Sequence, residues 1–405
     1  MEYRATLSTP DDLADFRATV RAWAEEHIPT GWESRFGGAV DEGFRAFQRE
    51  WLQTLRDGGY AAPHWAKEWG GGGYSLAEQI VIFEEFSRLN APPLRNYFVA
   101  LNHAYATLMH AGNDEQRQRH LPAILDGEVW CQGFSEPGAG SDLAALRTRA
   151  VRKGDVYVVN GQKVWSSRAA FADRCLLLAR TDPDAPKRHG ISYFLLDMTS
   201  PGVETRTIRQ ATGAAEFCEL FLTDVEIPVI DLVGEENDGW RIAQSTLSAE
   251  RGLAQLELAE RMAAALSMVE ELVRETTIDG RSAIEDDAVR EQLVTLETEV
   301  ILFRRLCKRM VSDLVRRGGT GPESSIVKVF YSELLQRLMA FGVSLAGLDT
   351  HRLTVKPVSA GYESGRWMLD YIDSFAWVIA GGTNEIQRTL IGERVLGLPR
   401  EPVAS

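Results

Sequence analysis

The chain has 405 residues, with 44 Lys and Arg against 58 Asp and Glu and a formal net charge of −14 at pH 7. That length predicts two or three domains with well-buried cores. The acidic balance argues against a nucleic-acid partner, whose phosphates call for basic stripes, but leaves room for a local basic pocket.

Met1 to Asp15 is polar and acidic, without a basic n-region, an apolar h-region or an Arg-rich amphipathic pattern, and no apolar run approaches a membrane span. A cytoplasmic protein is the expectation. The four cysteines, Cys131, Cys175, Cys218 and Cys307, form no CxxC pair, and three lie in apolar runs, so buried reduced thiols are expected. The seven histidines show no HxxxH or HExxH spacing, so no metal site is expected.

Helical spacing comes first. Pro10-Asp11-Asp12 precedes apolar residues at Leu13, Phe16, Val20 and Trp23, and Phe44, Phe47, Trp51, Leu52 and Leu55 mark a second helix. Tyr60 to Tyr74, with four consecutive glycines and a proline, reads as loop. Leu76 to Leu89, Phe98 to Met109 and Asp114 to Leu125 are further helices. From Val129 to about Pro228 the period shortens, with turn signals at Lys153-Gly154-Asp155, Asn160-Gly161, Pro183 to Pro186 and Pro201-Gly202. This predicts an antiparallel β domain, with Val156 to Trp165 as a hairpin turning at Asn160-Gly161. After Gly239-Trp240 the helical period returns over Leu256–Val273, Ala288–Leu314, Ser324–Leu345 and Thr383–Leu396.

The most informative stretch is Gly133 to Asp142, GFSEPGAGSD, which follows the predicted strand Val129–Phe134. Small residues allow close backbone approach and can form an N–H nest for a phosphate, and Ser135 and Ser141 add hydroxyls. The plainer reading is a Gly-rich turn with an Asx-type cap at Asp142. The glycine spacing is not that of a Rossmann fingerprint, and no Gly-Lys-Ser/Thr follows as in a P-loop. Trp165, between apolar and hydroxyl residues, reads either as core packing or as the wall of a ligand site. Glu250-Arg251, in Leu247 to Ala254, reads from spacing alone as a solvated face or an N-terminal dipole partner at a helix start.

Four ordered segments carry a resemblance: GFSEPGAGSD, GQKVWSSRAAFADRCLLLARTD (Gly161–Asp182), LSAERGLA (Leu247–Ala254) and AGGTNEIQRTLIGERVLG (Ala380–Gly397). Together they frame nearly the whole chain, which resembles the acyl-CoA dehydrogenase family of flavoproteins. The resemblance implies an α+β multidomain fold: an N-terminal all-α domain over 1–127, a middle antiparallel β-barrel or sandwich domain over 128–235, and a C-terminal four-helix bundle over 236–405. It implies FAD held by Phe134, Ser135, Gly140, Ser141, Trp165 and Ser167, with Thr383 and Glu385 at the other end. It also implies an acyl-CoA substrate that meets Ser141, Arg251, Gly381 and Gly382, with a pocket floor near Asn96, Val99 and Ala100.

Many family members place the catalytic glutamate just before the Gly-Thr of the C-terminal loop. Here that residue is Gly381, and Glu250 in the Glu-Arg pair matches the group that carries the base on the first C-terminal helix. Two family motifs have no clear counterpart. Arg274–Arg281, RETTIDGR, stands where Arg-x-x-Phe-Gly is usual, and Met339–Gly347 where Gln-x-x-Gly-Gly-x-Gly is usual. Both contact the FAD of a neighbouring subunit in the family. The resemblance therefore implies a homotetramer with different clamping or a heterotetramer with a related chain, with an electron-transfer flavoprotein as acceptor. A cofactor-poor partner subunit and a same-fold flavin oxidase or monooxygenase remain as alternatives.

Overall fold

The computed structural model describes residues 13–32, 42–249, 254–317, 321–348 and 366–400. The elements in chain order are helices α1 (Ala14–His27), α2 (Glu42–Asp57), α3 (Leu76–Arg88), α4 (Tyr105–Ala111) and α5 (Asp114–Leu125). Strands β1 (Trp130–Gly133), β2 (Arg149–Lys153), β3 (Val156–Ser167), β4 (Arg174–Arg180), β5 (Ile191–Asp197), β6 (Val203–Ile208), β7 (Phe217–Pro228) and β8 (Leu232–Val233) follow. Then come α6 (Gly239–Ala249), α7 (Ala254–Glu275), β9 (Thr277–Ile278), β10 (Arg281–Ser282), α8 (Asp287–Arg317), α9 (Ser324–Ala346), α10 (Trp367–Ser374) and α11 (Asn384–Leu390). Helical, β and helical regions thus succeed one another along the chain. Among the described residues, no helix is long and apolar enough to cross a membrane.

Backbone contacts divide the chain into two compact units. One unit comprises 39–74 and 93–250, with α2, α4–α6 and the large sheet. Its eight strands run in the order β6-β7-β3-β2-β4-β5-β8, with β1 attached to β4. As expected, most of its strand pairs are antiparallel; the sheet is mixed because β1 pairs in parallel with β4, and β2 meets β4 in parallel at Arg149 and Arg180. The cause is that β1 enters from a helix, not a hairpin, beside the strand that the chain reaches only after β2 and β3. Leu176, Leu177, Leu178, Tyr193, Phe194 and Tyr157 fill the core.

The longest pairing is β3 with β7, antiparallel from Val156↔Pro228 to Ser167↔Phe217. Asn160-Gly161 does not turn the chain as expected. It lies inside β3 at a break in register, and the hairpin between β2 and β3 turns instead at Gly154, at φ +63°. Glycine is needed at 161 for close approach: a Cβ there would lie 2.5 Å from Thr148 Oγ1 and 2.7 Å from its Cα.

Ahead of the sheet, Asn113 and Gln116 form a capping box at the start of α5. The buried Gln116 amide also donates to Ile230 O and Leu232 O, at 2.8 Å each, tying α5 to the end of the sheet. The helix containing α4 begins as a π-helical segment, Val99–Ala104. Trp65 braces it, stacked on Tyr105 with 4.4 Å between centroids and donating to Leu101 O at 2.8 Å.

The other unit comprises 1–38, 75–92 and 251–405. Here α7, α8 and α9 pack on one another, α10 and α11 lie on α9, and α3 lies on α7. Met262, Phe303, Tyr331, Leu334 and Leu338 are in its core. Between α1 and α3, the Glu85 carboxylate is buried yet accepts from Arg17 and Arg21 at 2.6 and 2.7 Å. Helix α10 is absent from the expected elements, because eight residues are too few to show a helical period; its Trp367 packs over Gly342 of α9. At RETTIDGR the chain forms a two-strand hairpin of β9 and β10 around Asp279 and Gly280, both at positive φ.

Replacing Gly161 by Ala pushes a methyl group into Thr148 backbone. It should destabilise the protein by about 1–3 kcal/mol, read as a lower urea midpoint with an unchanged denaturant slope. A parental midpoint would show that the strand has room at 161.

Candidate active site

In the sheet unit, β1 ends at Gly133 and the chain enters the small-residue loop. Glu136 and Ala139 close a tight turn by mutual backbone hydrogen bonds of 3.1 and 3.0 Å. Phe134 is buried against Tyr193 at 5.7 Å between ring centroids, Ser135 is half-buried, and Gly138, Gly140 and Ser141 are exposed. Gly138 and Gly140 have open space where a side chain would stand. Asp142 is not the expected side-chain cap. Its carboxylate pairs with Lys187 at 2.9 Å, and only its carbonyl serves the following turn.

The loop is fastened to β3. Val164 N–H donates to Ser135 O at 2.9 Å. Lys163, fully buried, donates from Nζ to Phe134 O at 3.1 Å and to Glu136 Oε1 at 2.8 Å. The Glu136 carboxylate also accepts from Arg147 N–H at 2.7 Å and Thr148 N–H at 2.8 Å. Burial works against that carboxylate, but the charge and hydrogen bond of Lys163 outweigh it and hold its pKa below the usual value. Glu136 and Lys163 were not expected as a pair. The available signal was a lysine amid the apolar alternation of a strand, which requires a buried acceptor.

Two residues on, Trp165 stands at φ +63° in a second break of the β3–β7 register, between Lys163 and Ser166. A large aromatic in the left-handed region is a backbone outlier, and such strain collects at functional sites. The indole is 59% exposed, edge-on to Phe217, which rules out the core-packing reading. Ser166 is buried with no partner for its hydroxyl, and Ser167 is half-buried at the strand end. An exposed indole face next to an open loop of small and hydroxyl residues fits a flat heteroaromatic ligand such as a flavin.

In the same unit, Asn96 is buried with its Oδ1 unpartnered, Val99 opens the π-helical segment half-buried, and Ala100 is fully buried. Thr246 of α6 meets Thr107 Oγ1 at 2.7 Å, and Tyr193 OH lies 3.3 Å from Thr107. Glu250 and Arg251 lie outside the described residues.

In the helical unit, Gly381 and Gly382 have φ of +66° and +88°, a geometry natural to glycine. Thr383 caps α11, its hydroxyl accepting from Ile386 N–H at 3.3 Å. Glu385 is exposed, with its pKa lowered by its own backbone N–H and then by the Thr383 hydroxyl. Two further residues hold this loop. Gln387, buried, donates to Gly381 O at 2.9 Å. Asn384, also buried, accepts from Lys328 Nζ at 2.8 Å and Ser332 Oγ at 3.1 Å. For Asn384 the signal was polarity at a helix position that faces α9. Among the described residues, no group of three or more His, Cys, Asp or Glu gathers as for a metal.

Models of the acyl-CoA dehydrogenase N-terminal, middle and C-terminal domains match residues 10–128, 131–225 and 237–396. The chain belongs to the acyl-CoA dehydrogenase family. It is 37% identical over 397 residues to acyl-CoA dehydrogenase IpdE1 of Mycobacterium tuberculosis, covering 96% of this chain and 99% of that one. Among solved structures, it is 31% identical to the Tcur3481-Tcur3483 steroid ACAD, with a TM-score of 0.83 over 98% of this chain and 100% of that one. The ChsE4-ChsE5 complex from Mycobacterium tuberculosis is 29% identical, with a TM-score of 0.81 over 98% and 99%. Membership makes the chain an oxidoreductase of a flavoprotein family.

Asn384→Ala strips the acceptor from Lys328 and Ser332 in a buried position. A loss of about 1–3 kcal/mol is expected, seen as a lower thermal midpoint; an unchanged midpoint would show that the loop is held by Thr383 and Gln387 alone.

Proposed function

We propose that this chain is an FAD-dependent acyl-CoA dehydrogenase that introduces an α,β double bond into a branched, long or sterol-derived acyl-CoA, with Glu250 as base. The observation that carries the FAD assignment is Trp165, exposed on strained backbone beside the anchored loop. Phe134, Ser135, Gly140, Ser141, Trp165 and Ser167 would hold the flavin, with Thr383 and Glu385 towards its other end. Ser141, Arg251, Asn96, Val99, Gly381 and Gly382 would meet the acyl-CoA. The domains would run 1–127, 128–235 and 236–405.

Bound FAD supplies the acceptor for the hydride that leaves the β-carbon. The Glu250 carboxylate removes the α-proton. In an apolar, substrate-closed site desolvation raises a carboxylate pKa, which brings it towards that weakly acidic carbon. A backbone N–H at Gly381 or Gly382 would donate to the thioester oxygen, stabilising the charge that develops there. Gly381 itself offers no proton acceptor and no side-chain bulk. The preference for a bulky acyl group draws on this, and on the steroid ACAD among the similar structures.

An electron-transfer flavoprotein is the proposed acceptor, and the cytoplasm the proposed location. Assembly as a homotetramer, or with a related chain, is supported by exposed apolar side chains in the helical unit: Phe375, Ile379, Leu396 and Leu398. The mixed assembly draws on the hairpin at Thr277–Ser282 in place of the usual clamp, and on two similar structures that carry two protein names.

In anaerobic single-turnover mixing, Glu250→Gln should slow flavin reduction by about 10²–10⁴-fold while FAD content stays parental; reduction near the parental rate would remove Glu250 from the mechanism. Across a panel of thioesters, a branched or sterol-derived acyl-CoA should bleach the flavin well ahead of butyryl-CoA. Equal rates would exclude the proposed acyl preference.

A further inference from the structure

In a regular strand, residues i and i+2 share a face. Lys163 and Trp165 do not share an environment: one is fully buried and the other is 59% exposed. The break in register between Lys163 and Ser166 separates them, with Trp165 in the left-handed region. Such a bulge needs something to hold the residue before it. Lys163 is held at three points: its own strand, the Phe134 carbonyl and the Glu136 carboxylate. Glu136 is held in turn by two backbone N–H groups beyond the loop, at Arg147 and Thr148. The loop backbone is further joined to β3 between Ser135 O and Val164 N–H.

A fully buried ammonium is a poor choice if packing were the sole requirement, because an apolar side chain of similar length would fill the space without the desolvation cost. What the ammonium adds is direction. It reaches across from β3 and fixes a carbonyl and a carboxylate that flank Ser135, two residues before the exposed indole in its own strand.

We infer that the buried Lys163–Glu136 pair is a positioning device, which sets the spacing between the Ser135 loop and Trp165 and thereby organises the flavin-facing wall before any ligand arrives. This rests on the FAD assignment proposed above. Neither residue touches the ligand in this account; both act through Phe134, Ser135 and Trp165.

The test compares the parent protein, Lys163→Met and the double variant Lys163→Met/Glu136→Gln as apoproteins titrated with FAD, alongside thermal midpoints and the visible spectrum of bound flavin. The single variant strands a buried carboxylate and should be the least stable. The double variant removes both charges and should recover much of the midpoint, yet Phe134 O still lacks its donor. Its FAD affinity should therefore stay about tenfold or more below parental, because lost preorganisation lowers affinity without removing a contact, and its flavin band should lose the parental shape. Recovery of affinity and spectrum together with the midpoint would overturn the inference and leave the pair a stability element only. Failure of the double variant to fold would overturn it likewise, by making the pair a folding requirement. Failure of the parent protein itself to bind FAD would instead refute the FAD assignment.

Discussion

Strand β3 carries the constraint on which the sheet unit depends. It pairs with β7 along its twelve residues, apart from two breaks in register, and with β2 over Val156–Asn160. It must still bury Lys163 and present Trp165. A strand of period two cannot place residues two apart in opposite environments without a defect. The register break between Lys163 and Ser166 is that defect, and the left-handed backbone of Trp165 is its local cost. The earlier break at Asn160-Gly161 serves a different end: it lets Thr148 approach where the Glu136 carboxylate receives the backbone N–H of that same residue. The two irregularities thus bracket one buried charge pair.

The helical unit solves a comparable problem with caps and buried amides. Its C-terminal loop turns through two left-handed glycines, so no regular hydrogen bonding supports it. Thr383 satisfies the start of α11, Gln387 folds back onto the Gly381 carbonyl, and Asn384 docks onto Lys328 and Ser332 of α9. Exposed Gly381 and Gly382 therefore sit on a rigid base. A carboxylate-bearing side chain at 381 would have to adopt a backbone conformation that L-residues rarely take, which gives the glycine there a conformational reason in addition to any catalytic one.

Much of the architecture was legible in the sequence. Long amphipathic runs mark α2, α3, α5, α7, α8 and α9 within a few residues, because many apolar side chains vote for one period. Shorter features depend on tertiary partners and were not legible. Helix α10 packs its Trp367 against Gly342, a contact distant in sequence. Asn160-Gly161 has the composition of a tight turn, yet β7 pairs across it and keeps the chain extended. The parallel attachment of β1 to β4 follows from the order in which strands enter the sheet, which local composition does not encode. At the site, GFSEPGAGSD and the Trp165 segment were visible as motifs, whereas Glu136, Lys163, Asn384 and Gln387 were not singled out. Each of these is a polar residue whose value lies in a buried partner elsewhere in the chain.

This division has a physical basis. Residues that meet a ligand need small size, hydroxyls or an exposed ring, and those demands leave a local imprint on the sequence. Residues that hold the ligand-facing backbone need only a polar atom at one point in the interior, and any of several side chains could supply it. Thr246 illustrates the second kind. Its hydroxyl meets that of Thr107, with Tyr193 OH beside them, so helix α4, strand β5 and helix α6 are joined by three hydroxyls without a formal charge. In sequence, Thr246 stands four residues before Glu250. A hydroxyl cluster is less costly to bury than an ion pair and less directional. The sheet unit uses the costly, directional device where the Ser135 loop meets β3, and the cheaper one where a helix is seated against a strand. The difference follows from what each must control: a few main-chain atoms in the first case, and the placement of a whole helix in the second.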